Sequence, residues 1–412
     1  MSNSPMLHHG RRRAVVMLPA PPGKPRSAFH CVAIWASRAC RPTRAGQLLL
    51  VASLGIAIGA AQTRAAADDG QIVFPGLTWE RRTPAEVGLD ATKLDELARL
   101  VEGRGCVVRH GYLVYGWGDE AKSRDVASAV KPVISTLLAI AVQEGKLKSV
   151  DDRLADVLPE LASLDGDLKG GKNAGITWRH LASQTSGYGL TEPPGAAYGY
   201  NDFALALYFD TLMDKVYQAN DDEVLRTRLA EPLEFEDSYS ITKNRPGRLS
   251  TSVRDFARFG LLYLRGGRWR ERVIVEPKMV SLLLTSPIAA DMPRTAGNDA
   301  PMLPGQRSIG GGKNITPAGP GFYSFNWWLN RVDGQGRRLY VDAPPDTYVA
   351  AGHGGMRMLF IVPSLDLIVS WNDSPIDDHD ASPGNEGTKC NQAARLMVEA
   401  ARPAGESVEG RK

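Results

Sequence analysis

Cysteine is scarce in this chain: four residues in 412, at positions 31, 40, 106 and 390. No two form a Cys-x-x-Cys pair and no His-Glu-x-x-His occurs, which excludes the common zinc patterns, and no metal or cofactor is expected. There is no Gly-x-Ser-x-Gly elbow, so the α/β-hydrolase route to an active serine is closed. A glycine-rich phosphate loop is also missing. No basic patch survives inspection. Residues 1–67 hold nine Lys/Arg and no Asp/Glu, and without them 40 basic residues face 46 acidic ones. A remainder of about −6 offers nothing to a nucleic acid.

That lopsided N-terminus reads as a targeting segment. Arg38, Arg41 and Arg44 precede an apolar stretch, Leu48–Ala61, followed by the small residues Ala65, Ala66 and Ala67 and then Asp68-Asp69. The stretch is shorter than the roughly 20 residues a membrane span needs. The expectation is a signal-like leader over 1–67, a periplasmic or secreted product, and no span in the mature chain. An uncleaved anchor is the alternative. Cys31 and Cys40 would leave with the leader, and Cys106 and Cys390 would stay, either as a disulfide or as two separate buried thiols.

In the remaining chain one stretch carries chemistry. From Ala129 to Gly145, apolar residues fall at 130, 133, 134, 137, 138, 141 and 142, the spacing of an amphipathic helix. Ser128 stands at the N-cap position, with Lys131 one turn on and on the same face. A serine hydroxyl is a weak nucleophile until a neighbour takes its proton and favours the resulting charge; a lysine and a helix N-terminus can do both. The pattern alone is weak, since Ser240-Ile241-Thr242-Lys243 repeats it, but that copy opens no apolar helix.

Two further constellations fit. Tyr200-Asn201-Asp202 opens a helical stretch, Phe203–Met213. A tyrosine serves as a general base where a nearby ammonium favours its phenolate. His353-Gly354-Gly355 leads into a strand, where glycines admit a substrate close to backbone N–H donors. Asp377, Asp378, His379 and Asp380 read as a solvated acidic turn rather than a cation site. Trp327 and Trp328 wall an acyl pocket or belong to the core.

The rest of the pattern is mixed. Helices are expected at Thr92–Val101, Trp178–Ser183, Thr388–Ala401 and Ser252–Leu264, the last with Asp255 completing a capping box. Hairpins are expected over Cys106–Trp117 and Met358–Trp371. Six Pro and seven Gly between 287 and 321 break all periodicity, which suggests a rim over a cleft or a disordered stretch. The fold class is therefore α+β: an antiparallel sheet built from both chain ends (about 103–118 and 323–372), flanked by helices, with a mostly helical region over about 127–285 inserted.

The order Ser-x-x-Lys at 128, Tyr-x-Asp at 200 and His-x-Gly at 353 resembles the serine β-lactamase and penicillin-binding-protein superfamily. Closest is its class C-like branch of esterases, 6-aminohexanoate-dimer hydrolases and D-alanyl-D-alanine peptidases. The segments Gly175–Gly189, Ser250–Trp269 and Ala351–Asp373 are similar as well, and the likeness runs from about Thr83 to Arg402. The resemblance implies a hydrolase domain over 68–412 of β-lactamase/transpeptidase type. It implies Ser128 as the acylated nucleophile, Lys131 sharing its proton, and Tyr200 as general base and then acid. Asp202 stands where relatives have Asn, His353 where β-lactamases have Lys, and Gly355 completes that motif. The oxyanion would rest on the N–H groups of Ser128 and Met356. An imidazole at 353 carries less positive charge at neutral pH than a lysine, and Asp202 adds negative charge. Both favour a small neutral ester or amide as substrate over a β-lactam or a peptide.

Overall fold

The computed structural model describes residues 72–401 apart from 165–170, 244–248, 286–287 and 315. The leader, Cys31 and Cys40 lie outside the described residues.

Seven strands form the central sheet: β1 (Arg104–Arg109), β2 (Tyr112–Trp117), β3 (Tyr323–Ser324), β4 (Trp327–Leu329), β5 (Tyr348–Gly352), β6 (Arg357–Val362) and β7 (Leu367–Asn372). Their spatial order is β3-β4-β5-β6-β7-β1-β2, with every neighbouring pair antiparallel. The two chain ends meet where β1 pairs with β7, from Arg104 opposite Asn372 to Arg109 opposite Leu367. The expected α+β class is the observed one.

Alternation along each strand splits the core in two. Leu359 and Ile361 face one apolar layer; Met358, Phe360 and Val362 face the other. The second layer is closed by α1 (Ala91–Val101) and α5 (Lys389–Ala400), through Leu94, Leu97, Ala393 and Met397. The first is closed by α2 (Lys131–Gln143), α3 (Asp202–Thr211) and α4 (Val253–Leu264). Covering both faces explains why the strands read as unbroken apolar runs. Burial of each Leu or Ile contributes about 1.5–3 kcal/mol.

Three local expectations change. Helix α2 is not half-buried: every residue from Lys131 to Ala141 is inside. Its polar residues are satisfied there, Thr136 donating to the Pro132 carbonyl at 2.8 Å and Ser135 accepting from Asn326 Nδ2 at 2.8 Å. Ser128 is not its N-cap. A 3₁₀ turn, Ala127–Val130, carries the serine, and the α-helix begins at Lys131, where Pro132 in the first turn forfeits no hydrogen bond. The capping box at α4 is half formed: Ser252 Oγ accepts from the Asp255 N–H, but the Asp255 carboxylate turns away to accept from the Glu236 and Asp237 amides. Cys106 and Cys390 are both buried free thiols.

Candidate active site

The Ser128 turn is tethered on both sides. Asp125 Oδ1 accepts from the Ala127 N–H at 2.8 Å, and Asn372 Nδ2 donates to the Asp125 carbonyl at 3.1 Å. Ala127 is held at φ +47°, a left-handed conformation that a residue with a Cβ adopts at a cost. Strand β5 ends directly against this turn. A Cβ on Gly352 would sit 2.5 Å from the Val126 carbonyl and 3.2 Å from the Ala129 nitrogen, so only glycine permits the approach.

Lys131 donates from Nζ to Ser128 Oγ at 2.7 Å and pairs with Asp202 Oδ1 at 3.0 Å. The same Nζ lies 4.5 Å from the centre of the Tyr200 ring. Ser128, Lys131, Tyr200 and Asp202 therefore meet at one ammonium. The ring cannot be farther from the hydroxyl than these two distances laid end to end. Burial opposes the lysine's charge, but Asp202 and the Tyr200 phenol outweigh it and hold the pKa above the ordinary lysine value.

Tyr200 and Asp202 reach this point by local design. Asn201 between them caps α3, its Oδ1 accepting from Phe203 and Ala204 N–H at 3.0 and 3.1 Å. Residues 200–201 pair with 313–314, so part of the proline- and glycine-rich stretch becomes a wall of the site. Trp328 stacks on Tyr200, ring centres 6.2 Å apart and planes 19° apart. Its neighbour Trp327 points the other way and is fully buried, stacked on Phe259. Adjacent tryptophans on one strand thus take both expected roles, one cleft wall and one core.

The third wall is the turn His353–Gly355 between β5 and β6. His353 and Gly355 line the same cleft as Ser128. Gly355 has φ +104°, and a Cβ there would lie 2.5 Å from Cys390 Sγ. Met356 departs from expectation. Its N–H is spent on the His353 carbonyl at 3.1 Å, and Met356 is not among the cleft-lining residues. A 3₁₀ turn in place of continued strand consumes that donor.

Sequence reasoning passed over several residues. The acidic turn is no bystander: Asp378, His379 and Asp380 line the cleft, and the His379 ring meets His353 edge-on at 5.3 Å. Asp378 accepts from the Cys390 N–H at 2.8 Å, capping α5. Asn326 fastens the first turn of α2 to the β3–β4 hairpin through Lys131 O at 3.2 Å. Arg357, opposite Gly352 in the β5–β6 register, also lines the cleft. Its adjacency to Ser128 follows from strand pairing, which no local pattern reveals. The cleft encloses about 960 Å³, ample for a small organic substrate. Among the described residues no group of three or more His, Cys, Asp or Glu is placed to hold a metal ion.

The sequence model of the family described as Beta-lactamase matches residues 105–371, a span that includes Ser128, Lys131, Tyr200, Asp202 and the His353–Gly355 turn. The chain belongs to the Beta-lactamase family. Solved structures agree on the fold at low identity. A β-lactamase from Mycobacterium bovis is 17% identical, covering 75% of this chain and 99% of its own, with a TM-score of 0.51. A penicillin-binding protein homologue from Caulobacter crescentus is 13% identical, covering 75% and 97%, with a TM-score of 0.51. EstCE1, a hydrolase with promiscuous acyltransferase activity, is 15% identical, covering 76% and 97%, also at 0.51. No curated protein sequence matches the chain. Among the described residues no helix is long and apolar enough to cross a membrane. Membership of the Beta-lactamase family supports hydrolase activity for this chain.

Proposed function

We propose that the protein cleaves a carboxylic ester or amide of a small substrate through an acyl-enzyme on Ser128. The observation that carries this is the single buried ammonium of Lys131, 2.7 Å from Ser128 Oγ, 3.0 Å from Asp202 and 4.5 Å from the Tyr200 ring. Paired with Asp202, Lys131 stays charged and donates to Oγ, which stabilises negative charge there and leaves proton removal to Tyr200. Oγ attacks the carbonyl carbon, and Tyr200 passes the proton to the departing alcohol or amine. Water then repeats the sequence, releasing the acid and freeing Ser128. The Ser128 N–H, near the start of its turn and without an intrahelical partner, faces the developing oxyanion. The His353–Gly355 turn supplies the second donor. A fluorophosphonate probe tests the reading: it should label the peptide containing Ser128, and Ser128→Ala should abolish labelling. Labelling elsewhere overturns it.

The charge of the substrate has its own observation. Of the cations lining the cleft, Lys313 is paired with Asp299. Arg357 makes no ion pair or side-chain hydrogen bond among the described residues, and its Nε is buried without a partner. This favours a substrate bearing an anionic group over the neutral one expected from His353. Arg357→Gln should raise KM for an ester with a free carboxylate at least about tenfold and leave its uncharged analogue unchanged; equal effects on both would reject the assignment. The leader-like N-terminus favours a location outside the cytoplasm, a proposal that fractionation followed by N-terminal sequencing would check.

A further inference from the structure

We infer that Gln184 is a positioning residue for the Tyr200–Asp202 pair. This rests on the reading of Tyr200 as the proton carrier. Gln184 follows the short helix Trp178–Ala182 and is held at φ +59°, a left-handed backbone uncommon for a residue other than glycine. That conformation points its main chain and its side chain at the same neighbour. The Gln184 carbonyl accepts from the Gly199 N–H at 2.9 Å. Its Oε1 accepts from the Asn201 N–H at 2.8 Å. These are the amides on either side of Tyr200, so one residue brackets the tyrosine from both flanks. The Tyr200 ring itself packs edge-on against Tyr323, centres 6.3 Å apart, and the Tyr323 phenol donates to Asn326 Oδ1 at 3.0 Å.

The arrangement is buried throughout. Gln184 is 1% exposed, and Asn201 is 2% exposed. Asn201 spends its own side chain on the α3 cap and on the Tyr188 carbonyl at 2.7 Å. Its N–H therefore depends on Gln184 for a partner; without one, a buried donor is left unmet and the peptide between Tyr200 and Asp202 is free to turn. Turning it moves the phenol relative to Lys131. Gln184 touches neither nucleophile nor cleft, so its effect reaches the reaction only through Tyr200.

The test uses Gln184→Met, which keeps the size and removes the acceptor, and Gln184→Glu, which keeps an acceptor oxygen. The full chain is labelled with 3-fluorotyrosine, and the Tyr200 resonance is assigned by its loss in Tyr200→Phe. Gln184→Met should shift or broaden that resonance and lower kcat about ten- to a hundredfold with KM changed less than about twofold. Gln184→Glu should restore the resonance. Because the ¹⁹F readout needs no turnover, a moved Tyr200 signal in a protein that hydrolyses nothing would sink the proposed function and keep the positioning role. A Tyr200 signal and kcat both unchanged in Gln184→Met overturn the positioning role and leave the function standing. If Gln184→Met does not fold, an unshifted signal in Gln184→Ala refutes it equally.

Discussion

Replacing Asp202 by asparagine separates charge from shape at the centre of the site. The ion pair to Lys131 is 3.0 Å long between side chains only 2% and 8% exposed. At an effective dielectric constant of about 20, two charges at that separation attract by about 5–6 kcal/mol. Desolvation takes back part of this, and removing one partner of such a pair costs about 3–5 kcal/mol net. The sign with pH follows. In the native protein Asp202 helps hold Lys131 above its ordinary 10.5, so the stability this contributes is complete below 10.5 and is lost only as pH rises through the higher folded value. In Asp202→Asn, burial is no longer opposed by a carboxylate, and the folded pKa drops. The deficit should then be largest at neutral pH and below, and shrink as pH climbs toward 10.5. Urea unfolding between pH 6 and 9 reads this as a lower midpoint at unchanged slope. The basic limb of kcat/KM should move to lower pH in step, because a neutral amine no longer supports the serine. A variant within about 0.5 kcal/mol of the parent, with the same pH profile, would refute the view that this pair sets the state of Lys131.

Other outcomes follow from the same geometry. Tyr200→Phe should lower kcat about 10²- to 10⁴-fold with little change in Tm, measured by steady-state kinetics beside calorimetry. Gly352→Ala should cost about 1–3 kcal/mol and slow acylation, because its methyl meets the Val126 carbonyl at 2.5 Å and pushes β5 off the Ser128 turn; activity and midpoint both intact would show the contact is slack. Burial raises Asp255 to about 6 from 3.8. Its contribution is therefore present below 3.8 and lost as pH rises to 6. The stability gap between the parent and Asp255→Ala should narrow by about 3 kcal/mol from pH 3.5 to pH 7.

What the sequence disclosed depends on how local each signal is. Helix α4 was legible because Ser252 and the apolar spacing lie within one turn of each other. The β6–β7 hairpin was legible because Pro363–Leu365 separates two apolar runs. The site was legible only as three weak patterns in a family's order, Ser-x-x-Lys at 128, Tyr-x-Asp at 200 and His-x-Gly at 353. Features set by packing were not. Nothing near Lys131 announces that its helix is enclosed on every side, since that depends on α3, α4 and the sheet arriving around it. The acidic turn is solvated as expected at Asp377, His379 and Asp380, but the sequence cannot show that Asp378 caps the first amides of α5 or that His379 meets His353. The Met356 N–H could not be read from the sequence, because His353, Gly354 and Gly355, all at positive φ, curl the strand into a turn in which it bonds the His353 carbonyl.

Acid-quenched mass spectrometry of the enzyme turning over a nitrophenyl ester addresses the acyl-enzyme itself. A mass increase equal to the acyl group, on the peptide that contains Ser128 and absent in Ser128→Ala, is the predicted result. Sustained hydrolysis by Ser128→Ala, or an acyl group on any other residue, would contradict the mechanism at its root.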